Sequence, residues 1–322
     1  MPNLTVAVIG SPDYVKGLGK KSTASDITFY DLKQDDVTVS LVEPSKYPEK
    51  LASLFFATSL VDVAVVVVEQ IGPTFGESVV MLDCVGVKKG YIVTKDYITQ
   101  EQLSPLIKST VLENYSVISD DPVQLREKLL TQAREGASNH GKPGNMTGSV
   151  AVDHYFDVKR AGTVVLGCVA DGIVRKHDSV KVHPSGKEAE IRSIQKHDDD
   201  FEEAVRGDRV GLALKGVSVG DLDRGTVLSN DEGLIGRIDI SARAHLVKYW
   251  LNPLREGMVV HIGHWMQFEP AKIESAGSDA DWRNPQVRLT FQKDLVYATG
   301  SKAIMTYLEG GKLRVIGTLD LS

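Results

Sequence analysis

The first residues in the chain that could do chemistry are suited to phosphate. The run Leu4-Thr5-Val6-Ala7-Val8-Ile9 stops at Gly10, and Ser11-Pro12-Asp13-Tyr14-Val15-Lys16-Gly17 follows. A phosphate-binding loop of the form G-x-x-x-x-G-K-[ST] needs a strand before it and backbone N–H groups turned to the anion. It also needs a lysine for the terminal phosphates and a hydroxyl for Mg²⁺. Gly10 and Lys16 fall in the first-glycine and lysine slots, while Val15 replaces the second glycine and Gly17 the hydroxyl. Valine resists the positive φ that a tight loop can require, and Pro12 lacks an N–H donor. Gly19-Lys20-Lys21-Ser22 is a second lysine-bearing stretch at the wrong spacing from Gly10. Taken alone, residues 10–17 read equally as a phosphate loop or as an ordinary strand–turn segment.

A second group lies towards the C-terminus: Arg243, His245, Lys248, Arg255, His261, His264, Trp265, Trp282, Arg283 and Arg288. Basic residues mixed with aromatics suit base stacking and phosphate contact on RNA, although a β-rich segment also spends aromatics in its core. Neither the histidines nor Cys84 and Cys168 show metal-ligand spacing, and two cysteines make neither a disulfide framework nor a four-ligand zinc site. No metal is expected from them.

The chain has 322 residues, a formal charge of −6 and 42% apolar residues, enough for two or three packed domains. An acidic chain is a poor non-specific binder of nucleic acid, because phosphate affinity comes mainly from Lys and Arg. The charge is uneven: residues 234–322 carry 11 Lys+Arg against 9 Asp+Glu, and the rest carries 26 against 34. Any RNA contact should therefore be local and lie towards the C-terminal part. No apolar run approaches the ~20 residues that span a bilayer. The start, Met1-Pro2-Asn3-Leu4-Thr5, lacks the basic and apolar regions of a signal peptide. These features predict a cytoplasmic monomer without a membrane segment.

Strands are expected at 4–9, 37–42, 61–68, 90–94 and 115–119. Helices are expected from about Ser45, from Thr99 through Leu112, and over 122–134. Strands alternating with helices predict a mostly parallel sheet flanked by helices. Residues 135–149 are rich in Gly, Asn, Ser and Pro and read as a linker. Beyond them come short alternating runs at 162–169, 179–183, 189–194 and 209–214 with Gly and Asp turns, the pattern of closed barrels. A weaker break falls near Asn230–Gly233. The expected fold is an α/β P-loop GTPase-like domain at 1–138, a linker at 139–149, and two all-β barrels at 150–231 and 232–322.

The middle segment carries a resemblance. Residues 153–167 (DHYFDVKRAGTVVLG), with Glu190-Ile191-Arg192-Ser193-Ile194-Gln195, residues 204–217 (AVRGDRVGLALKGV) and Asp223-Arg224-Gly225, resemble the second domain of EF-Tu-like translation factors. Within that superfamily the chain looks most like the SelB factors that deliver selenocysteinyl-tRNA. Gly19 to Thr28 is similar to the archaeal SelB-like factor discussed for pyrrolysine tRNA. The resemblance is strong over about 150–230, degenerate before it and mostly architectural after it.

The resemblance implies a GTP·Mg²⁺ site, aminoacyl-tRNA and ribosome as partners, and roles for particular residues. Gly10 and Lys16 take the loop positions, and Thr28 takes that of the switch-one threonine. The switch-two D-x-x-G falls on Glu43-Pro44-Ser45-Lys46, and the position of the catalytic histidine falls on Tyr47. The guanine-reading N-K-x-D becomes Thr94-Lys95-Asp96-Tyr97, with its Asp displaced by one residue, and Ser119 fills the last guanine loop. The helix expected after the loop is too short, since Asp26 follows too soon. Each lost ligand costs roughly 1–3 kcal/mol by analogy with unpaired buried polar groups, and several together remove orders of magnitude in affinity. GTP binding and hydrolysis are therefore expected to be weak or lost.

In the second domain, Asp153, His154 and Arg192 match a pocket for the charged amino acid, and Lys215 and Arg224 match contacts to acceptor-end phosphates. An Asp153–Arg192 ion pair that merely braces the barrel is the competing reading. The functional expectation is a SelB/EF-Tu-like factor with a decayed nucleotide site. The alternatives are an active GTP-binding factor with non-standard motifs, and a non-enzymatic RNA- or protein-binding adaptor on a dead GTPase scaffold.

Overall fold

The computed structural model describes residues 2–95, 97–137, 146–277 and 281–322. The chain divides into two compact units: residues 1–144 with 207–209, and residues 145–206 with 210–322.

The N-terminal unit is built on seven strands: β1 (Asn3–Ile9), β2 (Lys20–Ala24), β3 (Thr28–Gln34), β4 (Val37–Glu43), β5 (Val63–Val68), β6 (Gly90–Thr94) and β7 (Ser116–Ser119). Their order in the sheet is β2-β3-β4-β1-β5-β6-β7. The strands from β4 to β7 run parallel, while β2 and β3 form an antiparallel edge. The helices are α1 (Leu51–Thr58), α2 (Pro73–Val85), α3 (Gln100–Ile107) and α4 (Pro122–Ala137). All six residues of β5 are buried, as its β-branched run predicts for a strand covered on both faces.

Three local expectations need correction. Helix α2 forms where Gly72, Pro73 and Gly76 look like breakers and no helix is expected. Proline is at home in the first turn of a helix, and Gly86, at φ 82°, closes the other end by donating its N–H to the Leu82 carbonyl. The helix expected from Ser45 begins only at Leu51. The helix from Thr99 stops at Ile107, where Lys108 turns extended, Ser109 takes φ 62° and a 3-10 turn, Val111–Asn114, follows.

The largest difference lies just after β1. No shortened helix stands there; a single 3-10 turn, Tyr14–Gly17, leads directly into β2. Tyr14, Val15 and Leu18 are buried in the same core cluster as Leu125, Leu129, Leu130 and Ala133 of α4. Val15 thus stands in the second-glycine slot as a core residue, filling the face that α4 also covers.

The second unit holds two barrels. The first comprises β8 (Gly148–Val158), β9 (Gly162–Arg175), β10 (Ser179–His183), β11 (Lys187–Lys196), β12 (Asp199–Phe201), β13 (Glu203–Val205), β14 (Arg209–Lys215) and β15 (Val227–Ser229). Six of these close a ring, β10-β15-β8-β9-β14-β11, through the β10–β11 pairing. The second barrel is closed in the order β16-β19-β18-β17-β20-β21. Its strands are β16 (Leu234–Leu246), β17 (Val259–His264), β18 (Gln267–Ala276), β19 (Gln286–Ala298), β20 (Lys302–Thr306) and β21 (Val315–Asp320). Each ring leaves no unpaired edge and encloses its own apolar core. Among the described residues no helix is long and apolar enough to cross a membrane.

Candidate functional site

Ligands of open α/β sheets bind at the C-terminal ends of the strands. The nucleotide candidates gather at that edge: Gly10 after β1, Glu43 at the end of β4, Thr28 opposite it at the start of β3, Thr94 ending β6 with Lys95 next, and Ser119 ending β7. Asp96 lies outside the described residues.

The contacts at this edge are mostly internal. Gly10 takes φ 102°, and a Cβ there would lie 2.1 Å from the Val67 carbonyl oxygen, so close approach to β5 accounts for the glycine. Asp13, at φ 64°, turns its backbone N–H to Glu43 Oε1 at 2.8 Å. The Tyr30 hydroxyl donates to Glu43 Oε2 at 3.4 Å. Ser11 Oγ donates to Glu69 Oε1 at 2.6 Å, and Lys95 Nζ stands 3.2 Å from the same oxygen, 3.5 Å from Ser11 Oγ and over the Tyr14 ring. Lys16 Nζ pairs with Asp13 Oδ1 at 2.8 Å, both side chains being exposed.

Burial pushes the Glu43 carboxyl above the ordinary carboxylate range, with the Asp13 N–H opposing the rise. The Ser11 hydroxyl, with Lys95, holds Glu69 below that range. Thr28 is buried with Oγ1 2.6 Å from Ser45 Oγ. Tyr47 donates its hydroxyl to the Thr74 carbonyl. Ser119 is exposed at its strand end, and its carbonyl accepts the Asp121 N–H.

Sequence reasoning missed Glu69. Its signal was available: an acidic residue directly after a strand that is β-branched at all but one position, at the edge where ligands bind.

The barrel candidates are presented differently. Asp153 and Arg192 both sit at β-bulges, where the β8–β9 register shifts between Val152 and His154 and the β11–β14 register shifts between Ile191 and Ser193. A bulge re-aims a side chain out of the ladder's alternation. Asp153 is buried, with Oδ1 2.6 Å from His154 Nδ1. Arg192 is exposed.

The structure divides the expected amino-acid pocket. Asp153, His154 and Tyr155 line a depression of about 490 Å³ with Asp223, Arg224 and Lys293. Arg192 lines a separate one of about 460 Å³ with the Asp157–Thr163 turn and Lys215. The Arg224 Nε–H donates to the Asp153 carbonyl at 3.2 Å, and Lys215 Nζ is 3.5 Å from Glu190.

In the second barrel, much of the basic and aromatic mixture serves the fold. Trp250 is core. Arg283 donates to the Val247 and Trp250 carbonyls and stacks its guanidinium 4.4 Å over Trp282. His245 bridges Asn284 and Asp320. His264 is buried against Trp265, and burial pushes its imidazole down to about 4.

The family model for elongation factor Tu domain 2 matches residues 162–229. The Methanocaldococcus jannaschii protein MJ0325, whose function is uncharacterized, is 34% identical over 98% of this chain and 99% of its own length. The selenocysteine-specific elongation factor of the same organism is 26% identical over 83% of this chain, which spans 61% of that factor's length. The structure of elongation factor SelB from Methanococcus maripaludis, solved with the GTP analogue GppNHp, superposes with a TM-score of 0.82. At 23% identity, it covers 99% of this chain and 79% of that one. Because the similarity runs through the sheet and both barrels rather than stopping at the shared second domain, the chain belongs to the SelB-like branch of the EF-Tu-type translational GTPase family.

Proposed function

We propose that this chain is a translation factor that engages an aminoacyl-tRNA and the ribosome through its barrels, and that its GTP binding and hydrolysis are weak or lost. What carries the second half is the self-pairing at the sheet edge. A phosphate loop works by aiming unspent donors at an anion. Here the Asp13 N–H is spent on Glu43, the Ser11 hydroxyl and Lys95 on Glu69, and Lys16 on Asp13. A triphosphate would have to displace these carboxylates or lie against them, and like charges ~4 Å apart repel by about 4 kcal/mol at an effective dielectric near 20. These residues do not fit GTP·Mg²⁺. Tyr47, held by the Thr74 carbonyl, offers a phenol where the family places an imidazole.

The tRNA half is supported by the SelB-like relatives and by the bulges that present Asp153 and Arg192. The Asp153 carboxylate orients the His154 ring, and an exposed guanidinium such as Arg192 can bind phosphate or ester oxygens bidentately.

A fluorescent guanine nucleotide titrated in Mg²⁺ should show no sub-micromolar binding, and the paired change Glu43→Gln with Glu69→Gln should raise affinity about tenfold as two negative charges leave. Sub-micromolar binding by the wild type would overturn the loss. The companion measurement is the hydrolysis rate of aminoacyl-tRNA esters, which the protein should slow. Tight RNA binding indifferent to the aminoacyl group would identify an adaptor instead.

A further inference from the structure

The depression around Asp153 and His154 is not built by the first barrel alone. Lys293, on β19 of the second barrel, lines it beside Arg224. Its stretch of β19 leaves the ladder with β16: Arg237 pairs Leu295 and Asp239 pairs Thr290, so residues 291–294 bulge opposite the single residue Ile238. Lys293 is therefore presented as Asp153 and Arg192 are, from a bulge.

The joint that delivers it is tightly seated. A Cβ on Gly225 would lie 2.9 Å from the Met266 carbonyl oxygen, so the first barrel's 223–225 turn approaches the β17–β18 hairpin at backbone distance. Gln267 of that hairpin pins β19 just beyond the bulge, donating to the Val296 carbonyl at 2.7 Å and accepting the Val296 N–H at 2.8 Å. Lys293 Nζ stands 3.6 Å from both Asp223 Oδ2 and Glu269 Oε1. Two carboxylates steer the ammonium electrostatically, but neither is within the 2.7–3.2 Å of an ordinary hydrogen bond. The Lys293 side chain keeps 32% of its surface exposed, so the ammonium is open on one side to a further partner.

We propose that Lys293 is a positioning residue contributed by the second barrel: it takes a backbone phosphate of the RNA end whose aminoacyl group addresses Asp153 and His154. The acceptor-end site is then composite, complete only when both barrels are docked. This inference rests on the aminoacyl-tRNA reading above.

The test uses the full chain and unfractionated tRNA charged with the full set of amino acids, with ester protection read at several salt concentrations. Lys293→Ala should weaken protection tenfold or more, and the slope of log affinity against log salt should fall by about 1, as for one lost phosphate contact. Lys293→Arg should restore both. Unchanged affinity and slope in Lys293→Ala would overturn the proposal. So would weakened protection with an unchanged slope and a lowered melting temperature, since Lys293 would then only tie the barrels together. If the wild type protects no ester at all, the aminoacyl-tRNA reading falls and this proposal falls with it. Protection by the wild type that is indifferent to Lys293 removes Lys293 alone.

Discussion

At the edge of the N-terminal sheet, the loop's donors close onto carboxylates of the same chain: Asp13 N–H on Glu43, Ser11 and Lys95 on Glu69, Lys16 on Asp13. On the first barrel, two bulges lift Asp153 and Arg192 out of the ladder, leaving Arg192 exposed to meet something else. Both regions carry polar residues at positions where the resemblance leads one to expect ligands. The difference lies in where their hydrogen-bonding capacity goes: a donor satisfied within the fold is structural, while one aimed away from it is available for recognition.

That contrast can be broken most severely at Gly10. Its φ of 102° and the clash that a Cβ there would make with the Val67 carbonyl oxygen leave no room for a side chain. Gly10→Ala should destabilise the N-terminal unit by about 3 kcal/mol. The described helices α1 to α4 all belong to that unit, so far-UV ellipticity follows its melting. The three tryptophans, Trp250, Trp265 and Trp282, all belong to the second barrel, and their emission should not follow that transition. A shared transition would mean that the units do not melt independently.

The next effect is on the barrel side and depends on pH. Burial depresses His264 to about 4, whereas an unfolded imidazole takes a proton near 6.5. Between these values the unfolded chain binds more protons, so stability is complete above pH 6.5 and declines as pH falls towards 4. The loss is about 3 kcal/mol over the window. Tryptophan emission in denaturant at pH 7 and pH 4 measures it, and His264→Gln should flatten the profile. An equally steep profile in the variant would place the proton elsewhere.

The smallest stability change, but a functional one, belongs to Arg192. Because the residue is exposed, Arg192→Ala should alter stability by no more than about 0.5 kcal/mol. Protection of the aminoacyl ester should fall about tenfold. Unchanged protection would take the guanidinium out of the recognition surface and narrow the site to the depression shared by Asp153, Arg224 and Lys293.

Much of the fold was legible along the chain. The nearly all-β-branched run before Glu69 read as a doubly covered strand, and the strand expected at 179–183 is β10 residue for residue. Helix α2 was hidden by Pro73 and Gly76, because their breaker character depends on position within a helix that was not yet recognised. The turn after β1 read equally as a phosphate loop with departures or as an ordinary strand–turn segment. That Val15 is a core residue could be learned only from its burial in one cluster with Leu125 and Leu129 of α4.

Local pattern alone determined the layering of this protein, the parallel sheet followed by barrels, because side-chain periodicity follows from backbone geometry over a few residues. Which polar groups remain available was decided only in three dimensions. Ser11 and Glu69 are 58 residues apart, Asp13 and Glu43 are 30 apart, and each pair meets only because strand ends converge on one edge. The bulges at Asp153, Arg192 and Lys293 are likewise choices of register made between strands, and such a choice exists only once a partner strand is in place.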